Sequence, residues 1–152
     1  MRPVELRERR RAAGLTQVEL ARRAGVPQPN LSAYERGRRA PSPEVVSRLE
    51  EALRPAVGEL LARHRDRIRE LLVVHHAHNP RVFGSVARGQ DGPRSDLDVV
   101  VDFTEEASLL DEVGLRLALQ DLLQIEVDVV GADSIRGPML ERVVREAVPL
   151  DA

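Results

Sequence analysis

Residues 82–103 read VFGSVARGQDGPRSDLDVVVDF, and this stretch decides the fold of the larger part of the chain. Asp96 and Asp98 stand two residues apart at the start of an apolar run. In a strand, residues i and i+2 point to the same face. The two carboxylates therefore share one side, while Leu97, Val99, Val101 and Phe103 share the other and pack against helices. Like charges held side by side resist joint ionisation unless a cation lies between them. Just upstream, Gly84-Ser85 follows a short strand. Glycine lets the backbone approach a ligand closely, and a helix starting there offers free N–H groups. Together with the Ser85 hydroxyl these form a phosphate cradle.

A second apolar run, IEVDVV at 125–130, carries Asp128 on the same face as Glu126. If the two runs are neighbouring strands, Asp128 joins Asp96 and Asp98. Three carboxylates make a hard-cation site suited to Mg²⁺, which keeps waters and takes substrate phosphates as its remaining ligands. The cation offsets the repulsion, and Gly-Ser holds the phosphates that it bridges.

Around this stretch the periodicity predicts a long helix over 55–77, with Val57, Leu60, Leu61, His64, Ile68, Leu71, Leu72 and His75 at helical spacing and Asn79-Pro80 as its end. Then come a strand near 81–83, a short helix near 85–89, a strand near 96–103, a helix near 108–123, a strand near 125–130 and a helix near 138–147. This is an α/β pattern with a small sheet.

The first region is helical throughout. A helix over 3–13 stops at Gly14. Thr16 then caps a second helix, with Glu19 as its capping-box partner and Leu15 and Leu20 as the hydrophobic staple. Gly25 is the left-handed residue that ends it. A third helix spans 28–36, with Pro29 in its first turn. Ser42 caps a fourth, with Pro43 at its first position, running to about Leu53. Pro55 marks the boundary between a domain at 1–54 and a domain at 55–152. Helix, tight turn and short polar-faced helix form a helix-turn-helix, whose second helix enters the major groove. Gln28, Asn30 and Ser32 suit base edges. Backbone N–H groups near Gln17 can meet a phosphate, as can Arg38 and Arg39.

Charge follows the same division. Residues 1–53 carry 11 Arg and 7 acidic residues, a balance of +4, which suits a polyanion. Residues 54–152 carry 12 Arg and 18 acidic residues, a balance of −6, which suits metal ions or a basic partner. There is no Lys, so phosphate recognition must use Arg forks, hydroxyls and backbone N–H groups. There is no Cys, which excludes disulfides and cysteine-based zinc sites. No apolar run approaches the roughly 20 residues of a membrane span, and the start lacks a signal-peptide core, so a cytoplasmic protein without a membrane partner is expected. His75, His76 and His78 lie close together at a helix end, where the helix dipole alone favours them, and His64 sits a whole number of turns away on the same helix.

GLTQVELARRAGVPQPNLSAYERGRRAPS resembles the Cro/repressor-type DNA-binding domain over about residues 4–53. That resemblance implies operator DNA as a partner and a homodimer on a palindromic site. Gly-Ser followed ten residues later by Asp-x-Asp, then a strand Asp, resembles the polymerase-β-type nucleotidyltransferases. VFGSVARG and SDLDVVVDF are similar to their minimal nucleotidyltransferase branch, over about residues 68–150. The expected fold class is thus α+β: an all-α helix-turn-helix domain followed by a small α/β nucleotidyltransferase domain.

The second resemblance implies an antitoxin paired with a HEPN-domain toxin, transferring AMP from ATP to a toxin tyrosine. It implies that Asp96 and Asp98 hold Mg²⁺, that Asp128 completes the site and helps deprotonate the attacking hydroxyl, and that Gly84, Ser85 and Arg88 bind the nucleotide. A fused helix-turn-helix adds repression of the protein's own operon. The alternative is a DNA-binding repressor whose second domain is inactive and neutralises its partner by binding. Tyr34 is the single tyrosine and lies in the DNA-binding region, so a tyrosine acceptor belongs to another protein.

Overall fold

The computed structural model describes residues 1–89 and 96–150. The chain divides into two compact units, Met1–Pro55 and Ala56–Ala152.

Unit 1 has four helices: α1 (Pro3–Ala12), α2 (Gln17–Ala24), α3 (Gln28–Glu35) and α4 (Pro43–Ala52). Local chemistry sets their limits. The Thr16 side chain accepts from the Glu19 N–H at 3.2 Å, and the Glu19 carboxylate accepts from the Thr16 N–H at 2.7 Å. This closes the capping box and holds the Glu19 carboxyl below its usual range. Gly25 ends α2 at φ 62°, a conformation that costs glycine little. Ser42 accepts from the Val45 N–H and starts α4. Leu6, Leu20, Leu31 and Leu49 are almost wholly buried in one core, each contributing about 1.5–3 kcal/mol.

Unit 2 is a four-stranded mixed sheet with helices on its two faces. Its elements are α5 (Val57–Arg63), α6 (Arg65–Val74), β1 (Ala77–Phe83), β2 (Leu97–Phe103), α7 (Leu109–Leu123), β3 (Val127–Gly131), a 3-10 turn (Ala132–Ser134), α8 (Gly137–Glu146) and β4 (Val148–Pro149). Strand order is β3-β2-β1-β4. β1 is antiparallel to β2 and to β4, and β2 is parallel to β3 across the α7 crossover. Leu97, Val99, Val101, Val127 and Val129 meet Val57, Leu61, Ile68, Leu72, Leu115, Leu119 and Leu123 in the main core. The other sheet face carries a smaller cluster of Phe83, Val100, Ile135 and Val143, the last from α8.

Besides β4 and the 3-10 turn, neither of which the sequence signalled, three features differ from the sequence expectation. The helix expected over 55–77 is two helices, broken at His64 (φ −105°, ψ 15°). The apolar spacing runs unbroken across that point, so periodicity carries no mark of it. The end of that helix is strand: β1 begins at Ala77 because it pairs with β2, Ala77 opposite Phe103 and His78 opposite Asp102. Pro80 sits within β1 at an irregularity between His78 and Arg81, where a missing N–H is tolerated. The short helix expected at 85–89 is a run of turns, with Gly84 just before it and Gly89 at its end both at positive φ.

Candidate active site and DNA-binding face

The pairing of β2 with β3 sets Asp98 directly opposite Asp128. Parallel strands in this register put paired side chains on the same face, with the strands about 4.8 Å apart. Asp96 lies just before β2, one pleat period from Asp98, and is exposed; Asp128 is exposed as well. Asp98 is half-buried, and its carboxyl is pushed above the usual range. Burial is the main cause, followed by the charges of Asp128 and then Asp96, with Arg142 pulling the other way.

The backbone at Gly84 closes one side. It has φ 77°, and a Cβ added there would come within 3.0 Å of the Asp98 Oδ2 atom. Any larger residue would therefore press on that carboxylate. Ser85 follows, half-buried, and the Arg88 N–H donates to the Gly84 carbonyl at 3.2 Å.

The chemistry of the donor set suits a hard divalent cation: Asp98 and Asp128 stand on adjacent strands and Asp96 just before β2, with Asp98 raised first by burial and then by the other two charges. Among the described residues, no three His, Cys, Asp or Glu side chains already stand as a closed set of ligands. The polar face is shorter than the sequence pattern suggests. Val100, on the same side as Asp98, is buried against Phe83, Ile135 and Val143 and separates the leading end of β2 from Asp102, which is taken up by Asn79 and Arg81.

Residues 61–151 match the family described as Nucleotidyltransferase domain, and residues 6–54 match the family described as Helix-turn-helix. The chain belongs to the nucleotidyltransferase family. It is 40% identical over 78 residues to a Methanocaldococcus jannaschii protein provisionally named a protein adenylyltransferase, covering 51% of this chain and 84% of that relative. It is 36% identical over 92 residues to the protein adenylyltransferase MntA of Thermococcus cleftensis, covering 60% of this chain and 90% of that relative. A solved structure provisionally described as a minimal nucleotidyltransferase superposes with a TM-score of 0.54 at 43% identity, covering 60% of this chain and 94% of the other.

The nucleotidyltransferase unit places Arg88 against α8. Its Nη1 atom donates to the Glu146 Oε2 atom at 3.1 Å. The same Oε2 atom lies 3.6 Å from the Arg142 Nε atom. Sequence reasoning found Arg88 but neither Arg142 nor Glu146. The only local signal was their i, i+4 spacing, common on any solvated helix face.

In the helix-turn-helix unit, Gln28 is exposed and its Nε2 donates to Gln17 Oε1 at 3.1 Å. Gln17 in turn donates to Glu35 Oε2 at 2.8 Å. Glu35 is 2% exposed and accepts two bonds from Arg10, at 2.6 and 3.0 Å. Burial works to raise the Glu35 carboxyl, but the Arg10 and Gln17 hydrogen bonds and the Arg10 and Arg7 charges hold it below the usual range. This buried anchor was not read from the sequence, although it orients two of the predicted DNA-facing side chains. Asn30 and Ser32 are half-buried on α3, and Arg38 is exposed beyond its end. Among the described residues no helix is long and apolar enough to cross a membrane.

Proposed function

We propose that this nucleotidyltransferase is an antitoxin that transfers AMP from ATP to a tyrosine of a HEPN-type toxin and represses its own operon. The observation that carries the catalytic reading is the alignment of Asp98 with Asp128 beside Gly84. Bound Mg²⁺ would neutralise the triphosphate and polarise the α-phosphorus. Asp96, Asp98 and Asp128 would hold it, while Gly84, Ser85 and Arg88 hold the phosphates. The phenol oxygen bonds to the α-phosphorus as the bond from that phosphorus to the bridging oxygen breaks. Pyrophosphate leaves, and Asp128 helps take up the phenol proton.

Tyr34, the single tyrosine of the chain, is 5% exposed within the core of unit 1. It cannot reach a nucleotide without unfolding, which supports an acceptor on another protein. Repression is supported by the helix-turn-helix family match and by the network that fixes Gln17 and Gln28. A homodimer on a palindromic operator and a cytoplasmic location belong to the same proposal.

The test is transfer of labelled AMP from ATP-Mg²⁺ to the product of the neighbouring gene, followed by intact mass. Asp96→Asn with Asp98→Asn should abolish labelling while operator binding survives. Labelling retained by the double variant would reject the carboxylate assignment.

A further inference from the structure

The carboxylate cluster creates a problem for its own substrate. Asp96, Asp98 and Asp128 bring three negative charges to the leading ends of β2 and β3, and a triphosphate adds more. Cation binding offsets part of this, and side-chain cations must offset the rest. The chain has no Lys, so these must be Arg.

α8 supplies one. It lies on the same sheet face as Asp98 and Asp128, anchored by Val143 against Phe83, Val100 and Ile135. Arg142 precedes that anchor and its charge reaches Asp98. Arg142 and Arg88 both address one carboxylate, Glu146, at 3.6 and 3.1 Å. Glu146 is 23% exposed in its side chain, against 52% for Arg142 and 43% for Arg88. One shielded anion thus gathers two more open guanidinium groups from separate elements, the turn after β1 and the helix α8. A guanidinium fork matches phosphate oxygens as well as it matches a carboxylate.

We infer that Arg142 is a nucleotide-binding residue directed at the phosphate tail, and that Glu146 is a positioning residue that occupies the place of a phosphate between Arg142 and Arg88. The inference rests on the nucleotidyltransferase reading of the carboxylates and deepens it. Glu146 prevents the two cations from repelling each other, and the incoming phosphate tail competes with it for them. Arg142 then contributes in proportion to the number of phosphates, and Glu146 works against affinity.

The experiment is calorimetric titration of ATP, ADP and AMP with Mg²⁺ into the full chain, without acceptor. Arg142→Gln should weaken ATP about tenfold and AMP less than twofold, and Arg142→Lys should recover part of the loss. Glu146→Gln keeps the shape of the side chain and removes its charge. It should leave the melting temperature near wild type and tighten ATP severalfold. Equal loss for ATP and AMP in Arg142→Gln, or weaker ATP binding in Glu146→Gln, would overturn the inference and leave α8 with a purely structural role. Unchanged ATP affinity in Arg142→Gln would overturn it while sparing the nucleotidyltransferase reading. Wild-type chain that bound no nucleotide would overturn both.

Discussion

Asp98 and Asp128 face each other across the parallel β2–β3 pair, and Asp98 is the more buried of the two. The fold therefore works against ionisation of Asp98: its carboxyl is raised by burial first, then by Asp128 and Asp96. A raised folded value means the protonated form is favoured by folding. The destabilisation is absent below the unfolded value of about 3.9 and grows as pH rises through the folded value. In EDTA at pH 7, Asp98→Asn should melt at a higher temperature than wild type, and the gain should vanish near pH 3. Adding Mg²⁺ at pH 7 should raise the wild-type melting temperature and leave Asp98→Asn almost unmoved. A Mg²⁺ response that survives in the variant would remove Asp98 from the ligand set.

Gly84→Ala tests the cradle from the other side. The substitution forces a side chain into φ 77° and brings its Cβ to 3.0 Å from the Asp98 carboxylate. The backbone conformation alone costs about 1–2 kcal/mol. Displacing Asp98 should also lower AMP transfer by on the order of tenfold to a hundredfold, since misplaced reacting groups are that costly. Calorimetric melting and labelling rates separate the two effects. Full activity in a destabilised variant would mean that Asp98 tolerates displacement.

How much of this was legible depends on how local each signal is. The Thr16–Glu19 box, the Gly25 turn and the Ser42 cap are set by residues within three positions of one another, and the sequence displays them directly. The Asp-x-Asp run is legible because strand period places both carboxylates on one face. Its partnership with Asp128 required only that the two apolar runs be neighbours, which the α7 crossover arranges. The strand character of Ala77–Pro80 was not legible, because it comes from pairing with β2 more than twenty residues away. Nor was the Arg10–Glu35 pair, which joins residues 25 apart with no pattern between them. The same holds for Arg88 and Glu146, which are 58 apart.

The Arg10–Glu35 pair predicts how unit 1 responds to acid. The Glu35 carboxyl is lowered in the fold, so its contribution is present above the unfolded value and is lost as pH falls through the folded one. Glu35→Ala leaves Arg10, itself 9% exposed, without its counter-charge and with only its bond to the Leu15 carbonyl among the described residues. Removing one member of a buried pair costs about 3–5 kcal/mol. The variant should lose most helical circular dichroism from unit 1 on mild heating and lose DNA binding with it. Arg10→Met with Glu35→Leu removes both charges and should recover much of the stability. Without Glu35 to hold Gln17, it should still bind operator less tightly than wild type.

DNA recognition divides by residue chemistry. Arg38 is exposed beyond α3 and suits a phosphate, so Arg38→Ala should weaken binding on operator and random DNA alike and reduce the magnitude of the salt slope by about one. Gln28 presents an amide on the first turn of α3, fixed by its bond to Gln17. Gln28→Ala should therefore cost about 1–3 kcal/mol on the operator and little on random sequence. Gln17→Ala should act partly through Gln28, because it removes the acceptor that orients that amide. The double variant should then lose less than the sum of the two single losses. Titrations of all four proteins on both DNAs at several salt concentrations check this. Strict additivity of Gln17 and Gln28 would mean that each reads the DNA independently, and equal loss on random DNA for Gln28→Ala would deny it a role in reading bases.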